Sequence, residues 1–132
     1  MATEHRKKIL IVDDDRLTRA ILQHNVVLAG YDTIVALNGQ EAMQKIKEVT
    51  PDLIVVDLVM PDMNGFELCR RIRSNEQTQN TPVIVVTALQ SKTDVEEAKL
   101  AGADACLTKP IKAEEFINHL KKYVPSPFKI AP

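Results

Sequence analysis

A chain of 132 residues that is 45% apolar and 27% charged suits one globular domain with a full core, not a disordered tail. Its formal net charge of -1 removes the electrostatic ground for direct binding to nucleic acid or an anionic membrane. Cys69 and Cys106 lack CxxC spacing and histidine-rich surroundings, so neither a disulfide framework nor a metal cluster is suggested; both read as small buried hydrophobes of a reducing compartment.

The basic start MATEHRKK leads into four apolar residues, Ile9–Val12, before Asp13-Asp14-Asp15. That run is too short for a signal peptide or a membrane span, so a cytoplasmic protein is expected, and the run itself reads as a strand. Asp15 precedes a helix from Arg16 and is expected to cap it, and Gly30 stops that helix. Thr33–Ala36 reads as a second strand. Asn38, with Glu41 three residues on, opens a helix whose apolar stripe is Ala42, Met43, Ile46 and Val49, and Pro51 follows its end. Leu53–Val56 forms a third strand ending at Asp57. In PDMNG, Asp62 is expected in a turn, and Asn64 with Glu67 opens another helix. Val83–Val86 is a fourth strand with Thr87 at its end. Ser91 with Asp94 starts the next helix and Gly102 ends it. Ala105–Thr108 is a fifth strand, followed by Lys109 and a helix with Ala113, Phe116, Ile117 and Leu120 on one face. The tail VPSPFKIAP is expected to be a frayed end or the start of a linker, giving one domain over 1–124 and a tail over 125–132. His5, His24 and His119 are far apart in sequence and read as structural.

Five strand–helix repeats, with ILIV, LIVV and VIVV apolar without alternation, predict strands covered on both faces. The fold class is therefore α/β: a doubly wound, five-stranded parallel sheet in a flavodoxin-like three-layer sandwich, with expected strand order 2-1-3-4-5. In such a sheet the carboxyl ends of the strands share one edge, where ligands bind. Asp13-Asp14-Asp15, Asp57, Thr87 and Lys109 all stand at those ends. Several carboxylates held together need a cation, and hard oxygen donors with room for water suit Mg²⁺. Lys109 and Thr87 supply a positive charge and a hydroxyl donor for an oxyanion such as a phosphoryl group. Asp57, on the central strand, is the best nucleophile candidate, and its product would be an aspartyl phosphate.

These residues resemble the receiver domain of two-component response regulators. The resemblance rests on ILIVDDD (9–15), LIVVDLVMPDMNG (53–65), VIVVTA (83–88) and AGADACLTKPI (101–111), and runs from about Lys7 to Tyr123. It implies a phosphoryl-accepting signalling switch, not an enzyme that turns over a substrate. Asp57 would take its phosphoryl group from a sensor histidine kinase or a histidine phosphotransfer protein. Asp14 and Asp57 would hold Mg²⁺ directly, Asp13 through water and Val59 through its backbone carbonyl. Thr87 and Lys109 would hold the phosphoryl oxygens, and the Lys109-Pro110 bond would be cis. Phosphorylation would draw Thr87 inward and reshape the face built from the fourth helix, fifth strand and fifth helix for a downstream effector or a fused output domain. Cys106 stands where many relatives carry the aromatic switch residue, so a ring swing is replaced here by shifts of backbone. Val59 and Leu89 flank the approach of hydrolytic water in this family; both are apolar here.

Three other readings compete. ILIVDDD could open a haloacid-dehalogenase-like phosphohydrolase with Asp13 as nucleophile and Asp15 as acid, but this leaves Asp57 and MPDMNG unexplained. A flavodoxin-like cofactor binder would need hydroxyls and glycines where DDD repels phosphate. A receiver-like interaction module that is never phosphorylated is opposed by the intact set Asp13, Asp14, Asp57, Thr87 and Lys109. The cognate kinase, the output and any homodimer are not legible.

Overall fold

In the computed structural model, which describes residues 3–131, seven strands and five helices follow one another. They are β1 (Thr3–Arg6), β2 (Lys8–Val12), α1 (Arg16–Leu28), β3 (Asp32–Ala36), α2 (Gly39–Glu48), β4 (Leu53–Val56), α3 (Gly65–Ser74), β5 (Val83–Thr87), α4 (Lys92–Ala101), β6 (Ala105–Thr108), α5 (Ala113–Tyr123) and β7 (Phe128–Ala131). Strands β2 to β6 form one parallel sheet in the order β3-β2-β4-β5-β6, which is the expected 2-1-3-4-5 once β1 is counted.

The all-apolar strands divide by residue parity between two cores. Leu10, Val12, Ile54, Val56, Val83 and Val85 face α2, α3 and α4, meeting Ile46, Leu68, Ile72 and Ala98. Ile9, Ile11, Leu53, Val55, Ile84 and Val86 face α1 and α5, meeting Leu22, Val26, Phe116 and Leu120. Alternate side chains of one strand thus serve opposite layers, which is why no polar residue interrupts the run.

The caps lie where the sequence places them. Asn38, Asn64 and Ser91 accept from the amides of Glu41, Glu67 and Asp94, and Asp15 accepts from Thr18. Gly102 ends α4 in the left-handed region at φ 119. Asp62 occupies its turn at φ 68.

The tail departs from expectation. Phe128–Ala131 is a strand, antiparallel to β1, with Thr3 opposite Ala131 and Arg6 opposite Phe128. Lys7 N–H donates to Pro127 O at 2.7 Å, and the buried Tyr31 hydroxyl donates to Val124 O at 2.5 Å. These bonds tie the segment to the amino edge of the sheet, and Pro125 and Pro127 lie before the strand, not within it. Over Phe128–Ala131 the tail is a paired strand.

Candidate functional site

The carboxyl edge of the sheet is built by pairing that runs one residue past the strands. Asp13 N–H donates to Ala36 O at 3.2 Å, Asp57 N–H to Val12 O at 3.0 Å, and Lys109 N–H to Thr87 O at 2.8 Å. Backbone geometry therefore fixes these residues before any side chain interacts. Asp13, Asp57 and Thr87 are buried, whereas Asp14 is exposed.

Lys109 holds the centre. Its ammonium donates to Asp57 Oδ2 at 2.9 Å and to Asp13 Oδ2 at 3.0 Å. The second Asp13 oxygen accepts from Asp15 N at 2.9 Å, and the second Asp57 oxygen from Val59 N at 3.2 Å. Burial, opposed by the Asp15 amide and the Lys109 hydrogen bond, leaves the Asp13 pKa above the ordinary carboxylate value. For Lys109 burial works downward, but the hydrogen bonds and charges of Asp57 and Asp13 outweigh it, and its pKa ends above that of a free lysine. The cation is locked between two anions.

Carboxylate oxygens of Asp13, Asp14 and Asp57 lie within 4.8 Å of one another, the one such grouping of potential ligands among the described residues. Three hard oxygen donors, one of them open to solvent, fit Mg²⁺ and not a thiophilic metal. Asp15 stays outside this set, because its carboxylate accepts from the amide and hydroxyl of Thr18 as the α1 cap. Thr87 ends β5 with its hydroxyl accepting from Leu89 N at 3.3 Å. Val59 is 55% exposed, and its main-chain N–H donates to Asp57. Lys109-Pro110 is cis. Cys106 lies half-buried on β6 against the α4-side core, with its thiol pKa raised by burial; burial pushes Cys69 up to about 11. Both thiols are free and unactivated.

Two residues at this edge escaped the sequence reading. A Cβ on Gly65 would fall 2.2 Å from the Asp57 carbonyl oxygen and 2.6 Å from Leu58 Cα. Only glycine lets the start of α3 lie against the chain carrying Asp57, and Gly65 N–H donates to Leu58 O at 3.0 Å there. Arg19, one turn into α1, donates from Nη1 to Asp13 O at 3.1 Å. In MPDMNG the glycine follows the cap Asn64, and the sequence alone does not tell a helix start from a close approach of two chains; nothing local in the sequence marks Arg19.

Known proteins share this arrangement. The response regulator receiver domain profile matches residues 9–121. The polar-differentiation response regulator DivK of Brucella anthropi is 34% identical over 118 residues, covering 89% of this chain and 96% of that protein. Protein PilG of Pseudomonas aeruginosa is 33% identical, over 90% of this chain and 88% of its own. The solved structure of the chemotaxis protein CheY4 of Vibrio cholerae superposes with a TM-score of 0.85 at 33% identity, covering 90% of this chain and 99% of that one. With family motifs, strand order and acidic pocket in agreement, the chain belongs to the response regulator receiver domain family.

Proposed function

We propose that Asp57 is the phosphoacceptor of this signalling switch, and that Asp13, Asp14, Thr87 and Lys109 serve the transfer. The observation that carries this reading is the double hydrogen bond of Lys109 to Asp57 and Asp13, which holds a cation where a phosphoryl oxygen would arrive. The Asp57 carboxylate attacks phosphorus, an O–P bond forms, and the N–P bond of a donor phosphohistidine breaks with its electron pair returning to the imidazole. Lys109 follows one phosphoryl oxygen. Thr87 accepts at its oxygen from Leu89, so its own proton remains available to another. Asp13, Asp14, Asp57 and the Val59 carbonyl would hold Mg²⁺, which when bound spreads the charge collecting on the phosphoryl group.

The donor is a histidine kinase or phosphotransfer protein. Leu17 and Ile21 of α1 are 69% and 45% exposed, and with Pro110 and Ile111 they line an apolar hollow beside Lys109. That rim suits a helical surface presenting its histidine to Asp57. Movement of Thr87 toward the phosphoryl group then reshapes the face of α4, β6 and α5 for an effector, with Cys106 packing passively. Among the described residues no helix is long and apolar enough to cross a membrane.

Incubation with acetyl phosphate and Mg²⁺, followed by mass mapping, tests the reading. One phosphoryl group on Asp57, lost in Asp57→Asn and on chelation of Mg²⁺, is expected. Label on Asp13 would restore the phosphohydrolase reading, and no mass gain would favour an unphosphorylated module.

A further inference from the structure

The face formed by α2 and α3 takes no part in the phosphoryl chemistry, yet it carries a cleft with an unusual lining. Gln40, Met43, Gln44 and Lys47 from α2, Met63 from the preceding loop and Arg71 from α3 enclose about 350 Å³. No carboxylate lines it. The cleft opens into a larger neighbour of about 690 Å³ through Gln40, Met63 and Arg71.

Its floor is soft and its rim is cationic. Met43 and Met63 are half-buried against the α2–α3 core, and flexible thioethers adapt to apolar side chains of varied shape. Gly39 leaves the space that Met63 occupies: a Cβ there would come 2.6 Å from Met63 Sδ. Arg71 spends its Nε–H on Glu67 at 3.2 Å. Among the described residues its terminal nitrogens and the Lys47 ammonium make no hydrogen bond or ion pair within the protein. The terminal guanidinium nitrogens of Arg71 and the Lys47 ammonium therefore flank the two methionines with their donors unspent.

We propose that this cleft docks an acidic amphipathic segment of a partner protein, with an apolar side chain on Met43 and Met63 and a carboxylate between Lys47 and Arg71. Charge complementarity selects this occupant: a basic segment would meet an unpaired Lys47 and an Arg71 that Glu67 offsets through its Nε alone, with no carboxylate in the cleft's own lining. A helix fits best, since an apolar anchor and a carboxylate one turn apart lie on one face. The site is separate from Asp57, so docking does not require the phosphoacceptor.

A displayed library of amphipathic peptides, selected on the wild-type chain and counter-selected on a Lys47→Glu/Arg71→Glu variant, tests the proposal. Acidic amphipathic sequences should be enriched. Their labelled versions should bind at least about tenfold more weakly to Lys47→Glu and to Arg71→Glu by fluorescence anisotropy. Gly39→Ala should weaken binding through the floor alone, by pushing Met63 into the cleft while leaving every charge in place. Unchanged acetyl phosphate labelling and thermal melting in these variants show that loss of binding is not loss of fold. Enrichment of basic or uncharged peptides, no enrichment, or equal binding to Arg71→Glu overturns the proposal. Full competition by inorganic phosphate also overturns it by reducing the cleft to an anion site. So does self-association abolished by Arg71→Glu, which would make a second copy the occupant, its exposed Leu100 and Glu97 of α4 entering the cleft.

Discussion

At Gly65 the cost of one methyl group is set by another segment's backbone. The carbonyl of Asp57 stands where the Cβ would go, and neither partner is a flexible side chain that could turn away. Gly65→Ala must therefore displace the chain at Asp57 or the start of α3. A loss of about 1–3 kcal/mol in urea denaturation is expected, together with slower acetyl phosphate labelling of Asp57. Unchanged labelling would show that the shift is absorbed by α3. If Asp57 is phosphorylated, the side chains of Val59 and Leu89 bear on how fast water removes the group. Neither side chain offers a hydrogen bond to an incoming water, and Leu89 is packed against the core. A Val59→Asn/Leu89→Glu variant should lose its phosphoryl group faster than the native chain in a release time course; equal or slower decay rejects a role for these positions.

Among the helices, α4 is the most weakly seated. Only Ala98 and Ala101 of its residues are buried, and Leu100 is 89% exposed. Two small side chains contribute little burial energy, so the helix depends on how its end is tied. Arg73, at the end of α3, supplies the tie. Its Nε and Nη2 donate to Gly102 O at 3.0 and 2.8 Å, Nη1 donates to Thr81 O at 2.6 Å, and Nη2 also meets Asp104 Oδ2 at 2.9 Å. The same Asp104 oxygen accepts from Val83 N at 2.8 Å. One guanidinium thus joins the C-terminal ends of α3 and α4 to the starts of β5 and β6. Arg73→Ala should cost about 1–3 kcal/mol and raise hydrogen exchange in α4 well above that in α1. Uniform acceleration across all helices would mean that the tie supports the whole sheet. Because the other end of α4 follows the Thr87 loop, a helix held at one end and lightly packed along its length is suited to pivot.

Across the whole molecule, legibility in the sequence followed locality. The five sheet strands were found within one residue at each end, because β-branched runs with no polar interruption carry their own signal. The site was legible for a topological reason: its residues stand at the ends of those runs, and a parallel sheet brings such ends to one edge. β1 and β7 were missed. Each has four residues, Thr3–Arg6 is polar, and each exists only because the other is its partner across nearly the full chain length. No window of neighbouring residues contains that fact. Arg73 was missed for the same reason, since four of its acceptors are main-chain carbonyls whose positions no side-chain pattern announces.

The β1–β7 ribbon also decides how the domain responds to being pulled. Thr3 faces Ala131, so the two outer ends leave from the same end of an antiparallel pair. Tension applied between them peels the ribbon open one rung at a time, whereas the parallel sheet behind it feels no load until Arg6 and Phe128 separate. In an optical trap held by these ends, a small low-force extension should precede the main rupture. Deleting Phe128–Ala131 should remove that first step and leave the second. The ribbon would then act as a tether that yields early and keeps strain from reaching Asp57.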